Sequence, residues 1–187
     1  FLILCVILSE MKKFREGDIP NGWLKEEDYF KKLQTHPTCF YELVDFYADD
    51  AGDFEILLER RSPNDAFYAK QFATLGSTVM MRENFPDFCS RHADRESGIP
   101  VDTLETPPWV FCGVLSTPNT KRQHGLDVIF ARKWEKKPDV QPDIEWYPLT
   151  ELSNMNIVPS ICEVIDIAQS VMVTGGPPTF REFLGTD

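Results

Sequence analysis

The sequence is short of histidine and of basic charge, and it has neither paired cysteines nor a long apolar run. Three histidines and 19 Lys and Arg face 30 Asp and Glu, giving a net charge of −11. This excludes a basic face for nucleic acid, because phosphate neutralisation needs clustered Lys and Arg. It leaves a nucleotide open, since that needs only a local cationic pocket. The five cysteines, Cys5, Cys39, Cys89, Cys112 and Cys162, are odd in number and lack CxxC spacing. They read as thiols of a reducing, cytoplasmic compartment, with neither disulfides nor a zinc site. The apolar start FLILCVIL falls well short of the ~20 residues that cross a bilayer and has no basic residue before it. No membrane partner is expected. Met11 follows that run, so residues 1–10 read either as upstream sequence or as part of a truncated longer protein.

What is present is ordinary globular material, 187 residues with 42% hydrophobic and 26% charged. One domain with a buried core is expected. Trp23–Gln34 leaves one apolar helical face, and Pro37 ends it. Thr38–Tyr47 and Phe54–Arg61 read as strands around a hairpin turn at Asp49–Asp53, where Gly52 can take a positive φ. Gln71–Leu75 reads as a short strand and Phe85–Ser97 as a helix with Gly98 at its C-terminal cap. Pro107–Ser116 and Leu126–Trp134 read as strands, with a long polar loop from Ser116 to Gly125 bordering a pocket. Ile144–Tyr147 follows as a strand, Pro148–Ser153 as a helical turn, and Ser160–Val173 as a helix with Ser160 as N-cap. This order predicts an α+β fold with a mixed sheet between helices, an α/β/α sandwich. Residues 1–23 form an N-terminal extension, 24–173 the domain and 174–187 a tail.

The central stretch is Leu75–Ile99, LGSTVMMRENFPDFCSRHADRESGI. Ser77, Glu83, Arg91, Glu96, Gly98 and Ile99 occupy the fixed positions of the box of the Nudix superfamily, which this stretch resembles. Carboxylates three and four apart on a helix share a face and can reach one Mg²⁺ ion. Here the three metal-binding acid positions of the box hold His92, Arg95 and Glu96, so one carboxylate remains. His92 falls on the apolar side of the helix and reads as a core histidine. Arg95 reads as a surface charge, or as a cation holding a phosphate in place of the ion.

Beyond the box, the chain resembles the GDP-mannose mannosyl hydrolase branch of that superfamily. LKEEDYF at Leu24–Phe30, Asp45-Phe46, LLERRS at Leu57–Ser62, Gln123-His124 and Glu145-Trp146 before TEL carry the likeness. It implies a Nudix fold, a homodimer and Mg²⁺-assisted (or Mn²⁺-assisted) release of sugar from a nucleoside-diphosphate sugar. It implies Gly76 (through its carbonyl) and Glu96 at the metal, and Arg61, Arg91 and His124 in catalysis. Asp45, Arg61, Thr78 and Gln141 would contact substrate. Thr78 stands where the branch has an arginine, and Gln141 is one residue from the branch's metal-binding Gln, at whose position Val140 stands. Asp45 reads equally as a buried, hydrogen-bonded carboxylate. Two other functions fit the residues. One is a Nudix-fold protein that binds a nucleotide or protein without turnover. The other is a pyrophosphohydrolase recruiting acids outside the box, such as Glu105 or Asp127.

Overall fold

A computed structural model describes residues 31, 37–79, 83–92, 97–99, 106–121 and 123–185. The extension 1–23, the helix expected over Trp23–Gln34 (Lys31 apart), Arg95, Glu96 and Glu105 lie outside these residues.

Among the described residues, eight strands form one mixed sheet: β1 (Thr38–Ala48), β2 (Phe54–Arg60), β3 (Phe72–Ala73), β4 (Leu75–Thr78), β5 (Val110–Thr120), β6 (Gln123–Trp134), β7 (Ile144–Pro148) and β8 (Thr179–Glu182). The order runs β3-β2-β1-β6-β5-β8, with β7 on β2 and β4 on β1. The long β1 runs parallel to β6 on one side. On its other side it is shared: Phe40–Leu43 pair with β4, and Phe46–Ala48 pair with β2. The chain leaves β2, adds β3 to it and crosses through Thr74 to β4, so the sheet splays where β2 and β4 part.

Strand alternation sorts the core onto two faces. Val44, Phe46, Ile56, Leu58 and Ile129 pack against α2 (Pro159–Met172) through its Val164, Ile165, Ile167 and Ala168. Leu43, Leu57, Leu75 and Trp134 pack on the opposite face against Phe88 and Cys89 of α1 (Phe85–His92). The expected sandwich is therefore present. Asn84 starts α1 by accepting the Asp87 backbone N–H at 2.9 Å. Asp87 in its first turn and Arg91 in its last suit the helix dipole.

The hairpin turn is as the sequence predicts: Gly52 has φ +87°, and the Asp49 carboxylate accepts the Ala51 and Asp53 N–H groups at 2.9 Å each. Four details differ. The polar stretch Ser116–Gly125 is mostly strand, because β5 and β6 run on almost to a tight turn at Lys121. Helix α2 begins with Pro159 after an N-cap at Val158, so Ser160 lies inside the first turn instead of capping it. The single strand expected at Gln71–Leu75 is two, β3 and β4. The tail 174–187 contributes β8, parallel to β5.

Asp45 is opposite Arg132 in the β1–β6 ladder and only 1% exposed. It accepts from Arg132 Nε and from Trp134 Nε1, and the Arg132 guanidinium lies 4.0 Å from the Trp109 ring centroid and 4.5 Å from that of Trp134. This is a buried ion pair inside an aromatic box. Removing one partner leaves the other charge buried and unpaired. Arg132→Met should lower unfolding free energy by about 3–5 kcal/mol in urea titration, and adding Asp45→Asn should recover most of that loss.

Candidate functional site

An open cleft lies on the α2 face of the sheet, where β4 diverges from β2. Its floor comes from alternate residues of β1 and β6: Phe40 and Glu42 from one, Asp127 from the other. Gly76 and Thr74 form one wall, Arg61 and Tyr68 another, and Ser160 at the start of α2 borders it.

Glu42 is the centre of this arrangement. It is 8% exposed and paired with Gly76 across the β1–β4 ladder. The Thr74 hydroxyl donates to Glu42 Oε2 at 2.6 Å. A Cβ on residue 76 would meet the three carboxylate atoms of Glu42 at 2.3, 2.5 and 2.7 Å, so glycine is what lets the carboxylate lie against β4. Asp127, also 8% exposed, is opposite Phe40 in the parallel ladder and shares the Glu42 face. Two buried acids thus lie in one cleft among the hydroxyls of Thr74, Thr117, Thr120 and Ser160. Such a lining can accept hydrogen bonds from sugar hydroxyls and take a proton from water.

Arg61 also faces the cleft, already engaged. Its Nη1 reaches Glu59 at 2.6 Å and its Nη2 reaches Asp65 at 2.6 Å. Burial alone would lower its pKa, but Glu59 and Asp65 outweigh that and raise it. Asp65 shows the converse. Burial pushes its carboxyl up, but the Tyr68 and Phe67 N–H groups and Arg61 pull it down to about 2.

Arg91 belongs to the box's architecture. It pairs with Glu83 through Nε at 2.6 Å and Nη2 at 3.0 Å, and also donates to the Thr78 carbonyl at 3.2 Å. Three fixed points of the box region, the loop acid, the helix arginine and the end of β4, are thereby tied together. His92, at the first of the box's metal-acid positions, is 2% exposed and stacked on Phe88 at 5.9 Å, as a core histidine. His124 is exposed on β6 and shares a 3.3 Å contact with the Ser116 hydroxyl, and it is not among the cleft residues. Gln141 lies over the box's end: a Cβ on Gly98, whose φ is +68°, would be 3.2 Å from Gln141 Cγ. Asp45 is on the opposite face, committed to Arg132.

The structure therefore brings Arg61 and Gly76 into one cleft, sets Thr78, Arg91 and Gln141 around the box, and leaves Asp45 and His124 elsewhere. Sequence reasoning missed Glu42, Thr74 and Tyr68. An acid on the strand face carrying Phe40 and Val44 was the available signal. Among the described residues no group of three or more His, Cys, Asp or Glu side chains is placed to hold a metal ion. Glu96, the carboxylate that the family resemblance puts at the metal, lies outside those residues.

No family model matches the chain, and no curated protein matches it in sequence. Solved structures do match in fold. The NUDIX domain of Shewanella oneidensis NrtR, complexed with ADP ribose, is 16% identical with a TM-score of 0.58, covering 80% of this chain and 100% of that one. The C-terminal domain of mouse MUTYH, complexed with human PCNA, is 12% identical with a TM-score of 0.57, covering 77% of this chain and 94% of that one. A bifunctional NMN adenylyltransferase/ADP ribose pyrophosphatase from Francisella tularensis, complexed with AMP and a Mn ion, is 14% identical with a TM-score of 0.57, covering 76% of this chain and 46% of that one. The chain has the Nudix fold.

Asp65 supplies a pH test of the cleft wall. A carboxyl held below its ordinary value of 3.8 stabilises the fold above that value, and the contribution is lost as pH falls toward about 2. Asp65→Asn should flatten that part of the acid limb in denaturant titrations run from pH 5 to 2.

Proposed function

We propose that this domain hydrolyses a nucleoside-diphosphate sugar in the cleft, releasing free sugar and nucleoside diphosphate. The observation that carries the reading is the placing of Glu42, which lies against Gly76, and Asp127 in one cleft. The Thr74 hydroxyl bond fixes the Glu42 carboxylate, which takes the proton of the attacking water. The water oxygen bonds to the sugar carbon, and the bond from that carbon to the diphosphate oxygen breaks with its electrons. Asp127, with Thr117, Thr120 and Ser160, holds the sugar hydroxyls, and Arg61 holds the departing diphosphate. The Gly76 carbonyl and Glu96 would hold Mg²⁺, which would supply charge stabilisation to the diphosphate leaving group. The ADP ribose seen in the Shewanella domain belongs to the same chemical class of ligand. We take the protein as cytoplasmic from its free thiols, of which buried Cys112 is pushed up to about 11 by desolvation, and as a homodimer from the family resemblance.

One observation favours a second reading, binding without turnover. The first metal-acid position of the box holds a buried histidine, and a domain of the same fold is seen with a protein partner in the MUTYH–PCNA complex.

A panel of GDP-, ADP- and UDP-sugars with Mg²⁺, followed for free sugar and phosphate products, separates the readings. Sugar with nucleoside diphosphate supports the first, and tight binding without product supports the second. Nucleoside monophosphate supports pyrophosphohydrolysis. Under the first reading, Glu42→Gln should lower kcat by about 10²–10⁴-fold with an unchanged circular dichroism spectrum. Asp127→Asn should act more on KM.

A further inference from the structure

The loop Ser62–Lys70 leaves β2 and returns to the same point. The Lys70 N–H donates to the Arg61 carbonyl at 3.2 Å, and the Arg61 N–H donates to the Gln71 carbonyl at 2.9 Å. Lys70 has φ +64°, the single positive φ outside glycine among the described residues. A non-glycine residue in the left-handed region is uncommon, and such residues cluster at ligand clamps and switch regions. Within the loop, Asp65 divides its two oxygens between two tasks. Oδ1 accepts the N–H groups of Phe67 at 2.9 Å and Tyr68 at 2.8 Å, shaping the turn that sets Tyr68 in the cleft wall. Oδ2 accepts from Arg61 Nη2 at 2.6 Å and Nε at 3.2 Å. Across the cleft mouth, Lys121 Nζ reaches the Phe67 carbonyl at 3.4 Å and lies 5.5 Å from the Tyr68 ring centroid.

Arg61, a cation facing the cleft, is thus already held by carboxylates of the chain. A diphosphate grips a guanidinium in the same two-point manner as a carboxylate. Exchange of Asp65 for phosphate substitutes one charge-assisted pair for another, and Oδ1 keeps the turn intact throughout.

We propose that Asp65 is a positioning residue that competes with the ligand's diphosphate for Arg61, so that binding breaks the Arg61–Asp65 pair and frees the Ser62–Lys70 loop to turn about Lys70. This rests on the reading of Arg61 as the diphosphate contact. The loop carries Tyr68, so diphosphate recognition and the shape of the sugar-binding wall are coupled.

The test uses the full chain with GDP and ADP as probes, by calorimetry and by limited trypsin digestion at Lys70. Asp65→Asn keeps an oxygen at Oδ1 for the turn but removes the competing charge. It should lower the nucleoside-diphosphate Kd about two- to fivefold, the loss of one partly exposed ion pair. KM for the sugar nucleotide should fall with it, while kcat falls or holds. Glu59→Gln, which leaves the turn untouched, should also lower Kd and serves if Asp65→Asn folds poorly. In the wild type, added nucleoside diphosphate should speed cleavage at Lys70, and in Asp65→Asn that cleavage should be fast without ligand. Weaker binding by both variants, as Arg61→Ala would give, overturns the proposal. So does protection of Lys70 by the ligand. If the wild type neither binds a nucleoside diphosphate nor releases sugar, the functional reading itself has failed. If it does both and the variants bind unchanged, only the Asp65 proposal has.

Discussion

The parallel ladder between β1 and β6 is the constraint on which the rest depends. Its register runs without a break from Thr38 opposite Gly125 to Tyr47 opposite Trp134. Alternation along those strands sends Phe40, Glu42 and Val44 to one face and Tyr41, Leu43 and Asp45 to the other. A slip of one residue would exchange the two sets. It would put Glu42 under α1, take the carboxylate from Gly76, and turn the Asp45–Arg132 pair toward the α2 helix. The buried ion pair and its two tryptophans match only in the observed register. The cleft acids and the aromatic box are two consequences of one alignment.

That alignment also changes how the thinned box is understood. Arg91 is tied to Glu83 and the Thr78 carbonyl, so the loop–helix geometry of the box survives as architecture. His92 completes it by packing on Phe88. The acids in the cleft come instead from the sheet, through Glu42 and Asp127, with Thr74 and Gly76 shaping the wall. A box that keeps its frame while losing metal ligands suits a role in holding β4 against β1, where Gly76 must stay slim for Glu42 to fit.

Much of the fold was legible because it rests on local signals. The Asp49–Asp53 turn, the alternating strands and the helix from Phe85 each have a short-range cause, and the box spacing pointed to the Nudix fold. What was not legible depends on partners far apart in the chain. Nothing near Asp45 announces Arg132, 87 residues on, so the sequence left a substrate contact and a buried, hydrogen-bonded carboxylate equally open. Glu42 looked like one polar residue in a strand, because Gly76 and Thr74, which make its place, arrive only after the β2–β3–β4 crossover. Thr117 and Thr120 suggested loop by composition, yet cross-strand pairing with β6 makes them strand. Even so, the expected polar border of a pocket is partly met, since those threonines line the cleft.

Under the proposed function, ligand chemistry resides on the α2 face, between β1, β4 and β6. Amide NMR of the full chain during titration with GDP-mannose tests it directly. A ligand bound there gives the largest shifts at Glu42, Thr74, Gly76 and Asp127, with Tyr68 following. Shifts gathered instead around Asp45, Trp109 and Arg132 would contradict it.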